Sequence, residues 1–284
     1  MPRIAIVTDS GCDLSPALQE RYGVHVVPLV VRFGNETYLD GQLTAEGFWD
    51  KVLHGTAHPE TSQPSAGMFE EAFAACVEQC TQVLCLTITS KHSGTYNSAF
   101  AASQSFPGQV TIFDTLSLSL GQGYQAILAA QAAANGKDLP EILRQLERVR
   151  AATHLYIALD TIEYLSRGGR ADSIIPTLER VARVLNIKPM LELVDGQLKF
   201  LGVDRSHDKS VQRIRQEVAR RAPAEMLVVV HTRQSEEAAA LASNLAAGLQ
   251  FPAEQVLVAE AGPALSSHAG PGVVAAAIVQ QTTA

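Results

Sequence analysis

Charge is scarce in this chain. Asp, Glu, Lys and Arg make up 18% of its 284 residues, and 29 acids against 22 bases leave a formal net charge of −7. The longest basic run is the pair Arg220-Arg221. Proteins that hold a phosphate backbone carry a basic stripe, so neither nucleic acid nor an anionic membrane surface is the expected partner. Long apolar runs are missing too. A bilayer-crossing helix needs about twenty consecutive apolar residues, and no such stretch occurs, so stable membrane insertion is not expected. The opening residues Met-Pro-Arg-Ile-Ala-Ile-Val-Thr-Asp-Ser hold one base, a very short apolar run and an early acid, unlike a signal peptide or an anchor. Cysteine is sparse, at four residues. Cys76 and Cys80 fall one helical turn apart on an apolar face, Cys85 lies in a strand-like run, and no neighbouring His or Cys completes a zinc spacing. Cys12 completes the four, and all read as reduced core thiols suited to the cytoplasm, with no metal expected.

What is present is a globular composition, 46% hydrophobic. Short runs rich in Val, Ile and Leu at 4–8, 24–31, 83–88, 110–113, 155–159, 226–231 and 255–259 are too short for free-standing helices and suit strands covered on both faces. Helical faces alternate with them. Met68, Phe69, Ala72, Phe73 and Cys76 give one. Leu139, Ile142, Leu143, Leu146 and Val149 give a second, with Asp138 as its N-cap and Pro140 in its first turn. Leu178, Val181, Ala182 and Leu185 give a third, which must stop before Pro189. The alternation predicts an α/β protein with a mostly parallel, Rossmann-like sheet. Its character changes near residue 160, after which Asp195-Gly196 between the runs 190–194 and 197–203 signals a hairpin. Two domains are expected, an N-terminal α/β domain over 1–160 and a two-layer α/β domain over 161–284, with a cleft between lobes as the favoured ligand site.

Polar clusters follow several predicted strands, where open α/β sheets place their ligands. In Thr8-Asp9-Ser10-Gly11-Cys12-Asp13-Leu14-Ser15-Pro16, Ser15 and Pro16 suit an N-cap and first turn, and turn chemistry accounts for most of the cluster. In Thr61-Ser62-Gln63-Pro64-Ser65, Ser65 is the N-cap of the next helix, whereas Thr61 and Ser62 lie upstream and are not needed for it. Thr87-Ile88-Thr89-Ser90-Lys91-His92-Ser93-Gly94-Thr95-Tyr96 runs from a buried strand through a hydroxyl-rich turn into a helix, so free amides and hydroxyls form an anion site. It lacks the spacing of a P-loop, and Gly121-Gln122-Gly123 lacks the third glycine of a dinucleotide fingerprint. Neutral hydroxyls with few cations suit one carboxylate better than a polyphosphate. His268-Ala269-Gly270-Pro271-Gly272 places an imidazole on a tight turn, read as the start of a small-residue helix. Arg167-Gly168-Gly169-Arg170 and Asp204-Arg205-Ser206-His207 add arginines that either meet an anion or sit solvated at the surface.

These segments together resemble the DegV family. The resemblance runs through Ile6-Val7-Thr8-Asp9-Ser10, Thr61-Ser62-Gln63-Pro64-Ser65, Ser93-Gly94-Thr95-Tyr96, Leu159-Asp160-Thr161-Ile162-Glu163-Tyr164-Leu165, Gly168-Gly169-Arg170, Ile187-Lys188-Pro189 and His268-Ala269-Gly270-Pro271-Gly272, in the family's order over essentially the whole chain. It implies a lipid-binding, two-domain α/β protein that encloses one long-chain fatty acid, such as palmitate or oleate, between its domains, with no other cofactor. The carboxylate would be held by Thr61, Ser62 and Ser93, with Gly94 and Thr95 beside them and His268 supporting the network. Some relatives are the acyl-carrying subunit of a fatty acid kinase, whose separate ATP-binding subunit phosphorylates the carboxylate. Arg205 and Arg170 are then the residues to meet that partner or its phosphate, in a carrier that is not itself an enzyme and serves fatty acid metabolism or lipid transport. Two positions depart from the family's pattern: Ser206-His207-Asp208 replaces a more basic stretch, and Ala171 stands where Ile is usual. The alternative is a serine hydrolase or esterase acting on acyl esters through Ser93 and His268, although His92-Ser93-Gly94 lacks the Gly-x-Ser-x-Gly elbow.

Overall fold

A computed structural model describes residues 4–169, 174, 176 and 187–281. The predicted helix face at Leu178, Val181, Ala182 and Leu185 and the predicted contact Arg170 lie outside these residues. Contacts divide the chain into two units. One comprises residues 1–150 with Gly262–Ser267, and the other residues 151–261 with His268–Ala284.

The first unit contains β1 (Ile4–Asp9), α1 (Pro16–Tyr22), β2 (Val24–Val27), β3 (Val30–Phe33), β4 (Glu36–Leu39), α2 (Ala45–His54), β5 (Pro59–Ser62), α3 (Ala66–Val77), β6 (Gln82–Thr87), α4 (Thr95–Ser103), β7 (Val110–Asp114), α5 (Leu120–Ala134) and α6 (Leu139–Ala151). Strands β2, β1, β6 and β7 form an all-parallel sheet in that order. Both faces are covered, so the strands are near-continuous apolar runs, as the sequence predicts. On one face Ala5, Val7, Val83 and Cys85 pack under Phe69 and Phe73 of α3 and Ala99 and Ala102 of α4. On the other lie α1 and α5, and α5 is buried along nearly its whole length. Burying a ring such as Phe69 or Phe73 stabilises the fold by roughly 2–3 kcal/mol. The predicted caps are present. Ser15 accepts the amide of Leu18, Ser65 that of Met68, and Asp138 and Glu141 each accept the other's amide at 2.9 Å, a reciprocal capping box.

The run 24–31, read as one strand, is two. Pro28 has no N–H to give a ladder, and the chain leaves the parallel sheet there. β3 then pairs antiparallel with β4 and β5 in a separate three-stranded sheet, whose core is Leu29, Val31, Phe33, Phe48 and Trp49.

The second unit contains β8 (Thr153–Ala158), α7 (Glu163–Arg167), β9 (Lys188–Val194), β10 (Gln197–Asp204), α8 (His207–Ala219), β11 (Ala224–His231), α9 (Ser235–Leu249), β12 (Leu257–Glu260), α10 (Pro263–Ala269), whose first five residues belong to the first unit, and β13 (Val274–Gln280). Its sheet has the order β10-β9-β8-β13-β11-β12, and among these pairings only β11–β12 is parallel. The predicted hairpin is β9–β10, with Asp195 and Gly196 at φ 51° and 75°, the left-handed pair that a two-residue turn requires. Helices α8 and α9 cover one face through Ile214, Val218, Leu241 and Leu245 against Tyr156, Val229, Ala276 and Ile278.

The segment after Gly272 is a strand, not the expected helix. Alanine favours helix in isolation, but residues 274–279 are all buried at the centre of the sheet between β8 and β11. Ladder bonds and burial on both faces override a propensity of a few tenths of a kcal/mol per residue.

Candidate functional site

The parallel sheet ends in Asp9, Val27, Thr87 and Asp114, and polar side chains collect beyond that edge. After β6 the chain turns through residues 88–94 into α4. Ser93 Oγ lies 2.8 Å from Thr95 Oγ1 and accepts the Thr95 amide at 3.3 Å. Gly94 takes the N-cap position with no side-chain cap, and the first turn of α4 carries no acid. A helix start with amide donors, two hydroxyls and no carboxylate attracts an anion. Thr95 is buried, while Ser93 and Gly94 are half-buried.

The second hydroxyl segment meets this turn. Thr61 and Ser62 end β5, paired with Val31 and Val30. Ser65 caps α3, as predicted, which leaves Thr61 and Ser62 outside capping chemistry. Between the two segments, the Gln63 carboxamide lies against the bare Cα of Gly94, where a Cβ would come 2.8 Å from Gln63 Nε2. This contact brings the 61–65 segment against the turn before α4 within the first unit.

His268 belongs to the second unit, in the last turn of α10 rather than at a helix start. Its ring rests on Gly168, where a Cβ would come 2.1 Å from His268 Nδ1. The Gly-Pro-Gly after it is explained by packing. Gly270 and Gly272 both have left-handed backbones (φ 75° and 79°), with the Tyr164 ring and Asp160 Cβ where their side chains would be. Thr232 Oγ1 donates to the Gly270 carbonyl and accepts the Val273 amide. Arg205 is exposed between β10 and α8. Arg167 pairs with Glu163 at 2.8 Å on the surface, the solvated reading.

The first polar cluster is a splice within the fold. Asp9 is fully buried, and its two oxygens accept the Gly11 amide at 2.9 Å and the Ile88 amide at 2.7 Å. Burial pushes its carboxyl up to about 6, opposed by the hydrogen bonds from Ile88, Gln122 and Gly11. Asp13, Asp40 and Ser119 were not singled out from the sequence. Asp13 accepts the Ser119 hydroxyl and the Gly262 amide, and burial, with Asp40 and Asp9 nearby, pushes it up to about 7. Asp40 accepts the Ser10 hydroxyl at 2.7 Å and the Ala264 amide at 3.3 Å, and burial raises it as well. Ser119 has the backbone φ 52°, ψ −146°, a region almost reserved for glycine. Among the described residues, no group of three or more His, Cys, Asp and Glu is placed to hold a metal ion. All four cysteines are free thiols, and burial raises that of Cys76 to about 11. No helix among the described residues is long and apolar enough to cross a membrane.

The comparisons with known proteins agree in one direction. The family profile described as an uncharacterised protein of the DegV family matches residues 3–281. A DegV domain-containing protein of Deinococcus radiodurans is 36% identical over 280 residues, covering 97% of this chain and 98% of its own length. Among solved structures, a DegV family protein of Thermus thermophilus, described by its fatty acid binding, superimposes with a TM-score of 0.88 at 36% identity, covering 98% of this chain and 100% of the other. DegV of Bacillus subtilis, described as a fatty acid binding protein, does so with a TM-score of 0.86 at 27% identity, covering 99% and 100%. Matched over nearly its full length in sequence and fold, this chain belongs to the DegV family.

Proposed function

We propose that this protein binds one long-chain fatty acid, with its carboxylate held by the hydroxyls of Thr61, Ser62, Ser93 and Thr95 and by the amides that open α4. The observation that carries this reading is the Ser93–Thr95 hydroxyl pair at 2.8 Å at a helix start whose N-cap, Gly94, has no side chain. The fatty-acid binding described for the Thermus thermophilus relative supports it. A carboxylate leaving water must be met by several donors or it protonates, and hydroxyls with amides supply them without a fixed counter-charge. A chain of about fourteen methylenes contributes on the order of 10 kcal/mol gross, at ~0.8 kcal/mol each, before association costs. Such a ligand survives purification.

The same carboxylate is the nucleophile for acyl phosphate formation on a separate, ATP-binding kinase subunit. One of its oxygens attacks the γ-phosphorus, and ADP departs. Arg205, exposed before α8, is the contact for that subunit. This chain then acts as a carrier in the cytoplasm, a setting suited to four free thiols. The hydrolase alternative is less well supported. A nucleophile elbow holds its serine at positive φ, and Ser93 is not among the described non-glycine residues with positive φ.

Mass spectrometry of the purified protein, native and then after denaturation and organic extraction, tests the reading. A stoichiometric fatty acid released only on denaturation is the expected result. Absence of lipid together with no uptake of added palmitate or oleate overturns it.

A further inference from the structure

Gly94 has a backbone that any residue adopts, φ −77° and ψ 3°, so conformation does not demand a glycine there. Space does. A Cβ on Gly94 would lie 2.8 Å from Gln63 Nε2 and 3.0 Å from Gln63 Cδ, inside van der Waals contact. Gln63 sits between Ser62, the last residue of β5, and Pro64, which is buried. Its side chain thus spans from the segment that carries Thr61 and Ser62 to the turn that carries Ser93 and Thr95. Ser65 already caps α3, so Gln63 is not needed for the helix that follows. It is exposed, so its carboxamide N–H groups remain available to an incoming anion.

We propose that Gln63 is a positioning residue for the carboxylate. Seated on Gly94, it sets the spacing between the Thr61–Ser62 and Ser93–Thr95 hydroxyls and presents its Nε2 donor to the ionised head group. This inference rests on the fatty-acid reading above. Its chemical consequence is selectivity. An ionised carboxylate gains from one more fixed donor, whereas an alcohol of the same chain length, which carries no charge, gains little.

The test is a double-mutant cycle on the full chain, with palmitate and hexadecanol affinities measured by displacement of a fluorescent fatty acid and thermal midpoints taken in parallel. Gln63→Ala removes the carboxamide, and Gly94→Ala pushes it aside. Because the displaced group is the end of a flexible, exposed side chain, Gly94→Ala is expected to fold. Each single substitution is expected to weaken palmitate about tenfold, to leave hexadecanol and the thermal midpoint nearly unchanged, and to add little to the other, since both remove the same positioning. Gln63→Met, which keeps the bulk of the side chain but has no N–H, is expected to match Gln63→Ala and covers the case in which Gly94→Ala does not fold. Independent, multiplicative losses, or equal losses for palmitate and hexadecanol, overturn the role of Gln63 while leaving fatty-acid binding in place. A wild-type protein that takes up neither ligand overturns both readings.

Discussion

The Asp9 carboxylate accepts the Ile88 amide at 2.7 Å across 79 positions of the chain. The bond joins the last residue of β1 to the first residue after β6, and these are the two central strands of the parallel sheet. The turn that carries Ser93 and Thr95 therefore starts from a pinned point. The other Asp9 oxygen is taken by the Gly11 amide, so both oxygens of this carboxylate serve the backbone.

Buried carboxyls give the fold a pH dependence with a definite sign. Asp13 is held up to about 7 and Asp9 up to about 6, against an ordinary 3.8. The folded protein binds these protons more tightly than the unfolded chain. Their contribution to stability is therefore greatest below about 4, falls as the pH rises to about 7, and is level above that. Asp13→Asn keeps an acceptor for the Gly262 amide and removes one titration. Urea midpoints of both proteins across this range are expected to show the variant gaining on wild type as pH rises. A constant gap would mean that Asp13 does not titrate there.

Ser93→Ala should leave stability nearly untouched and weaken palmitate by one to two orders of magnitude, roughly 1.5–3 kcal/mol, because a charged acceptor loses a donor in a desolvated site. Ser243, exposed on α9 and bonded to the Ala239 carbonyl, is the control position. Calorimetric titration that finds the two alanine variants equal in affinity would remove Ser93 from the head-group site.

At Ser119 two effects oppose each other. Its hydroxyl serves Asp13, yet its backbone at φ 52°, ψ −146° is strained for any residue with a side chain. Ser119→Ala keeps the strain and strands part of a buried carboxyl, a loss of about 2 kcal/mol. Ser119→Gly loses the same bond but relieves the strain, so it should be the milder change by about 1 kcal/mol. Denaturant unfolding that ranks glycine below alanine would contradict this account.

Gly108 and Gly270 share φ 75° and differ in surroundings. A Cβ at Gly108 meets nothing within 4 Å, whereas one at Gly270 comes 2.4 Å from the Tyr164 ring. Alanine should cost about 1 kcal/mol at Gly108, from backbone strain alone, and 3 kcal/mol or more, on the order of an overpacked core, at Gly270. Equal thermal shifts would show that the ring yields freely.

Local signals were legible in the sequence where the chemistry is local. Ser15, Ser65 and Asp138 were readable as caps because an N-cap bonds an amide two or three residues on. Asp195-Gly196 was readable as a hairpin because the turn needs two left-handed residues in succession. Thr61, Ser62, Ser93, Gly94 and Thr95 stand out in the sequence through family resemblance and through hydroxyls beyond those that capping uses. The partners of Asp13 and Asp40 were not readable. Ser119 is 106 positions from Asp13 and Ala264 is 224 from Asp40, and no spacing rule spans such distances. Val274–Gln280 misled for another reason. Its alanines favour helix by themselves, and only a central place in a sheet, set by residues far away, makes them a strand. Pro28 breaks the run 24–31 in structure, while the apolar pattern continues on both sides of it and hides the break in the sequence.

Strand β13 stands between β8 and β11, and Gly262–Ser267 supplies part of the first unit. On a ribosome, then, the first unit cannot be completed before residues 262–267 are made, nor the second before residues 274–280. Residues 1–150 emerge without their final piece, and the six-stranded sheet waits for its centre. Until β13 is made, β8 and β11 lack the strand between them, a window in which aggregation competes with folding. The chain also cannot be divided at residue 150 into two self-sufficient halves. A stop codon after Gly272 would remove the middle of a sheet.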